Sequence, residues 1–294
     1  MGVIELAASP RAAVMAARLV KALPTGMALR AADILARRAA SQVDSPVVRA
    51  LRHNQAVVRG LPIDDPRLDQ AALTALQITA RGYVHLFKNL GKPTETLRSC
   101  WKIDDDLVET INSYRERGQG VFYTGIHTAG FDQVLITLGT YGYPVMGLSY
   151  ADPTAIYRFQ NQVRINSGVT LLEISSQSLR QALRFLRQGN VVFTGCDRPD
   201  PKGENLIFFG RKARLPVGHA RLALHANAPI IAGATCRTGE GTYRASLVGV
   251  FEPEKPGGND HFVIDLAQRI ISAFEVFLSQ HADEWLMFFP VWDL

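Results

Sequence analysis

From residue 120 onward, short apolar runs alternate with segments of helical spacing, and this alternation constrains the fold more than any other feature of the chain. The runs are GVFYTGI (120–126), YPVMGLSY (143–150), GVTLLEI (168–174), NVVFTG (190–195) and APIIAGAT (228–235). Between them lie DQVLITLGTYG, PTAIYRFQNQVRINS, SQSLRQALRFLRQG and GHARLALHANA, several of which reach a glycine that can end a helix. Strands separated by helices pair in parallel, so the pattern predicts an α/β fold with a mainly parallel central sheet flanked by helices. FFGRKARL (208–215) and YRASLVGVF (243–251) are expected to extend that sheet, and a late helix is expected at about 260–281.

The first part of the chain reads differently. Residues 10–40 are rich in alanine, leucine and arginine, and Pro24 with Gly26 divides them into two helices. In the first, Met15, Leu19 and Leu23 form an i, i+4 row while Arg11, Arg18 and Lys21 gather on another side. That pattern suits a helix resting on anionic lipid or one packed on its own domain. Further helices are expected at 46–60 and 66–90, separated by the turn-forming LPIDDP. A polar connection near Arg115–Gly120 then divides the chain into an N-terminal helical segment, 1–118, and an α/β core, 119–294.

Composition narrows the class. With 47% apolar and 20% charged residues in 294, the chain is neither disordered nor a bundle of membrane spans. A net charge of +5 points to an anionic partner. Without an RNA-recognition signature, zinc-finger spacing or a concentrated basic run, that partner is not expected to be nucleic acid. Cys100, Cys196 and Cys236 lack CxxC or metal-ligand spacing, so the expectation is three small thiols in a reducing, cytoplasm-facing location, with no metal site. No apolar run reaches the roughly 18 residues of a span, and Arg11, Arg18 and Lys21 break any signal-peptide pattern, so membrane contact is expected to be peripheral.

Chemistry concentrates at YTGIHTAGFDQ (123–133), where His127 closes the first strand and Asp132 follows five residues later. Open parallel sheets bind ligands at the carboxyl ends of their strands. Positions five apart in a regular helix differ by about 140°, so these two side chains meet only if His127 lies in the turn before the helix, which Gly125 and Gly130 permit. Asp132 would then hold the imidazole in one tautomer while the other nitrogen takes a proton. Thr124 and Thr128 do not form the GxSxG elbow of a serine nucleophile, so the simplest chemistry has His127 deprotonating an acceptor hydroxyl that attacks an activated acyl carbon. The spacing alone would arise about 0.6 times by chance in a chain with seven histidines and 27 acids, so it does not decide the matter.

A second stretch adds to it. TGCDRPDPKGENLIFFGRKARLPVGHARLALHANAPIIAGA (194–234) carries Asp197 and Arg198 at a strand end, then FFGR, a glycine-started helix and an Ala-Pro entry to the next strand. With the H-x4-D motif, this stretch resembles the bacterial lysophospholipid acyltransferase superfamily, in the branch of the late lipid A and phosphatidylinositol mannoside acyltransferases. The resemblance runs from roughly residue 80 onward and is looser in the N-terminal helices. It implies transfer of a fatty acyl group from acyl-CoA or acyl carrier protein to a hydroxyl of a membrane lipid or glycolipid, without a cofactor, at the cytoplasmic face of the inner membrane.

By position, the resemblance makes His127 the base and Asp132 its partner. It matches Arg164, in VRINSG, to an arginine near the catalytic centre, and Asp197 to a family acid. On their own these two read as a helix C-terminal cation and a strand-end turn residue. Arg198, Arg211, Lys212 and Arg214 form a cation cluster suited to a lipid phosphate or to the phosphates of a thioester donor. The lipid A branch carries glutamate at the position of Asp132 and a W-x-W-x-x-x-R-W tail, a spacing occupied here by Trp285, Met287, Val291 and Trp292. That tail, EWLMFFPVW, suits core packing or a membrane interface. Two other readings stay open: a lipid-binding protein that keeps the fold without catalysis, and a thioester or lipid hydrolase that uses water as acceptor.

Overall fold

A computed structural model describes residues 10–149, 155–166, 168–253 and 259–292. The described residues begin with helices α1 (Pro10–Ala22), α2 (Thr25–Ala40), α3 (Pro46–Arg59), α4 (Arg67–Asn89) and α5 (Thr94–Cys100). Pro24 precedes α2, Ser45 caps α3 by accepting from the Val48 N–H, and Gly60 ends α3 in the left-handed conformation. The first two helices leave Met15, Leu19, Met27, Ile34 and Leu35 exposed. The side chain of Arg11 lies outside the described residues, as do Tyr150 and the start of the helix expected from residue 153.

The central sheet has seven strands in the order β1-β9-β8-β2-β5-β3-β4. Its members are β1 (Trp101–Ile103), β2 (Val121–Gly125), β3 (Val145–Ser149), β4 (Thr170–Glu173), β5 (Val191–Gly195), β8 (Ile230–Gly239) and β9 (Thr242–Phe251). Pairing is parallel throughout except between β8 and β9, which run antiparallel through a tight connection. The fold is therefore the α/β architecture that the alternation predicts, with an N-terminal helical segment. Helices α6 (Asp105–Glu116), α7 (Phe131–Gly139), α8 (Ala155–Asn166), α9 (Ser176–Arg187), α10 (Gly218–Ala226) and α11 (Asp260–Gln280) accompany it. Strand β2 is buried at all five positions, which explains why VFYTG reads as a continuous apolar run and not as alternation. Val121, Tyr123, Val145 and Val191 pack toward one layer and Phe122, Met146 and Val192 toward the other.

Two details depart from the expected plan. FFGRKARL does not extend the sheet: β7 (Arg211–Leu215) pairs with β6 (Glu204–Phe208) in a separate hairpin. Phe209 (φ 51°) and Gly210 (φ 69°) form its two-residue turn, the positive-φ pair that matches hairpin twist. Only Ala213 and Leu215 of β7 are buried, a one-sided pattern that a central strand covered on both faces could not carry. Secondly, Trp101–Ile103, within the first 118 residues, joins the sheet edge beside β9. No described helix is long and apolar enough to cross a membrane.

Candidate active site

Strands β2 and β5 are neighbours at the middle of the sheet, and their register pairs Thr124 with Thr194 and Gly125 with Gly195. Two residues beyond that last pair stand His127 and Asp197. The parallel register thus carries a histidine and an acid to the carboxyl edge side by side. His127 Nδ1 lies 2.6 Å from Asp197 Oδ1, and the His127 backbone N–H donates to Oδ2 of the same carboxylate at 2.9 Å. The indole N–H of Trp285 also donates to Oδ2, at 2.8 Å.

Asp197 has no solvent exposure, whereas the His127 side chain is 35% exposed. Burial pushes the Asp197 carboxyl upward. The charge of His127 and the hydrogen bonds from its ring, from Trp285 and from the His127 backbone outweigh that cost and hold it below the ordinary carboxylate value. An ionised Asp197 accepts the proton on Nδ1 and leaves Nε2 as the basic nitrogen. Nε2 has no hydrogen-bond partner among the described residues.

His127 does lie in the turn before a helix, as its spacing requires, but its partner is not Asp132. That carboxylate, in the first turn of α7, accepts from Arg164 Nε at 2.7 Å and pairs with Arg164 Nη2 at 2.6 Å. Arg164 is 7% exposed and is further fixed by Asn161, whose amide reaches Ser149 Oγ. The expected pairing of His127 with Asp132 is corrected on this point: the turn sends the histidine back toward β5, while Asp132 faces α8. Phe131 stands between the two pairs, stacked on His127 at 5.2 Å and 5.8 Å from the Arg164 guanidinium.

Two glycines make the turn possible. Gly130 has φ +81°, and a Cβ there would run into the Tyr243 ring. At Gly195 a Cβ would sit 3.2 Å from His127 Cε1, so the bare backbone of β5 gives the imidazole its room.

His127 and Arg164 open onto one cleft, together with Arg198 and Asp200. Its remaining wall is largely apolar: Phe131, Leu135, Leu148, Val169, Leu171 and Phe193 run from the histidine toward the β3–β4 edge. Arg198 lies 4.2 Å from the Phe289 ring. Arg211, Lys212 and Arg214, grouped with Arg198 by sequence, are exposed on the β6–β7 hairpin and do not line this cleft. Arg214 donates to the Gly203 carbonyl and Arg211 acts electrostatically on His53. The tail resolves in favour of core packing: Trp285, Met287, Val291 and Trp292 are buried. Cys196 is buried next to Asp197, Cys100 and Cys236 are partly buried, and all three are free thiols.

Neither the His127–Asp197 pair nor the Trp285 donor is marked by local spacing in the sequence. A signal for the first was present, because TGIH and TGCD are the same strand-end phrase with histidine and aspartate in the final place.

No curated protein gives a match to the chain. A family model does match, over residues 9–293: that of the bacterial lipid A biosynthesis acyltransferases, and the chain belongs to this family.

Proposed function

We propose that the protein transfers a fatty acyl group from a thioester donor, acyl-CoA or acyl carrier protein, to a hydroxyl of a membrane lipid or glycolipid, with His127 as the general base. The observation that carries this reading is the buried Asp197 carboxylate on Nδ1 of a histidine whose Nε2 is free among the described residues and whose side chain lines an apolar cleft.

In the proposed reaction Nε2 removes the acceptor's hydroxyl proton as the oxygen attacks the thioester carbonyl. The tetrahedral adduct collapses, the C–S bond breaks and the ester remains. The thiolate takes the proton back from the imidazolium, which Asp197 stabilises in the meantime. A thiolate is a good leaving group, so the step needs neither a metal nor an acyl-enzyme. The apolar wall suits an acyl chain, and Arg164 and Arg198 place cations at the cleft for an anionic headgroup or donor phosphate. Exposed Met15, Leu19, Met27, Ile34 and Leu35, with Arg18, Lys21, Arg30, Arg37 and Arg38 on the same two helices, support peripheral attachment to an anionic inner-membrane surface from the cytoplasmic face.

The test is incubation with labelled acyl-CoA or acyl carrier protein and total membrane lipid. Wild type should yield an acylated lipid and His127→Ala none, with unchanged circular dichroism. Full transfer by the variant removes the histidine from the mechanism. Release of free fatty acid alone identifies a hydrolase, and binding without product identifies a lipid binder.

A further inference from the structure

The last described segment of the chain lies outside the central sheet, yet it is sewn to the loop that carries His127. Thr128 and Trp285 form an antiparallel bridge. On either side of it, the Ala129 N–H donates to the Glu284 carbonyl at 2.9 Å and the Leu286 N–H to the His127 carbonyl at 2.8 Å. The strap is in turn held from α3 and β8. Asn54, 1% exposed, donates to the carbonyls of Met287 and Phe289 and accepts from the Val291 N–H. Gln55 donates to the Ala282 carbonyl, and Arg237 pairs with Glu284.

We propose that Trp285 is a positioning residue, its indole N–H fixing the Asp197 carboxylate so that the C-terminal strap sets how strongly Asp197 holds the proton of His127. This inference rests on the acyltransferase reading above and deepens it.

Among the described residues Asp197, which has no solvent exposure, has three donors: the His127 ring on Oδ1, and the His127 backbone and Trp285 on Oδ2. A hydrogen bond to a buried charge is among the stronger kinds, and its loss leaves the acceptor under-solvated. The indole cannot swing away, because Phe208 meets it edge-on at 5.9 Å and Trp292 at 6.1 Å. Trp292 belongs to the same buried aromatic cluster but spends its N–H on the Phe208 carbonyl, so it serves as an internal control. Among the described residues, the other charged or titratable groups around the pair are Cys196 beside Asp197, Arg164 with Asp132 across Phe131, Arg198 and Asp200 in the cleft wall, and Arg237 with Glu284 behind the strap.

Trp285→Phe keeps a ring in the cluster and removes the donor. A carboxylate with one donor fewer is more basic and holds the imidazolium proton more tightly, so the pair takes up a proton at higher pH. The acid limb of the transfer rate should move upward by up to about one pH unit, with kcat reduced and KM unchanged, because Trp285 does not line the cleft. Trp292→Phe should leave the limb where it is. A purely structural role for Trp285 would lower the rate equally at every pH, and that result overturns the proposal, as does an equal shift in Trp292→Phe.

A measurement on the unaltered protein needs neither a stable variant nor turnover. The Trp285 indole N–H resonance should change with pH in step with the His127 ring while that of Trp292 stays flat. A flat Trp285 resonance through the His127 titration refutes the coupling. Absence of any transfer by wild type, by contrast, counts against the acyltransferase reading and leaves the resonance test standing.

Discussion

Asp132 and Asp197 flank the same aromatic ring system, yet they live in different surroundings. Asp197 is wholly buried, takes three hydrogen bonds and touches the imidazole; Asp132 is 17% exposed and is committed to one arginine. The first is placed by strand register across the middle of the sheet, the second by the first turn of a helix. Register fixes a side chain more tightly than a helix start does, because a slip of one residue on β5 would turn the acid to the other face. The acid nearest in sequence is therefore not the one that holds the histidine. Asp132 instead holds a cation at the cleft and reaches the site through Arg164.

The largest expected effect sharpens this contrast. Asp197→Asn should lower kcat/KM by about 10³- to 10⁴-fold, because an amide neither stabilises the imidazolium nor secures the tautomer. Initial rates of labelled acyl transfer across a range of sub-saturating acceptor concentrations check it. Asp132→Asn should cost about tenfold, mainly through KM, together with about 3 kcal/mol of stability from the stranded Arg164. Chemical denaturation and the kcat-against-KM split read the two parts. Equal losses in the two variants would break the distinction between the acids.

Acid adds a third test. The Asp197 carboxyl lies below its ordinary value in the fold, so its ionisation stabilises the native state at neutral pH. That contribution is full above the ordinary carboxylate range and is lost as pH falls through the lower folded value. The stability gap between wild type and Asp197→Asn should therefore narrow on acidification, as seen in denaturation midpoints across pH. A constant gap would mean that the carboxylate's charge is irrelevant to folding. The smallest effect is expected at the β6–β7 hairpin, where Lys212→Ala should change kcat/KM by less than about twofold, as befits an exposed cation outside the cleft.

Much of this architecture is legible in the sequence because parallel strands buried on both faces leave long apolar runs, as VFYTG and APIIAGAT do. The hairpin misled because FFGRKARL has a strand's composition, and only the positive φ at Phe209 and Gly210 shows that it turns back on ENLIF. At the site, the importance of His127 could be read from its place at a strand end. Its partner could not be read from local spacing, since the decisive contact spans 70 residues and depends on which strands are neighbours. Trp285 is further removed still, 88 residues from the carboxylate it touches, and its tail reads from sequence as core packing or a membrane interface, with no sign of a part in the site.

Asp197, and not Asp132, holds the His127 ring, and the tautomer of that ring reports directly on which acid does so. In ¹⁵N-histidine-labelled protein above the titration of the pair, the His127 proton should reside on Nδ1, far downfield, and should lose that signature in Asp197→Asn while keeping it in Asp132→Asn. Retention in Asp197→Asn with loss in Asp132→Asn would contradict the account.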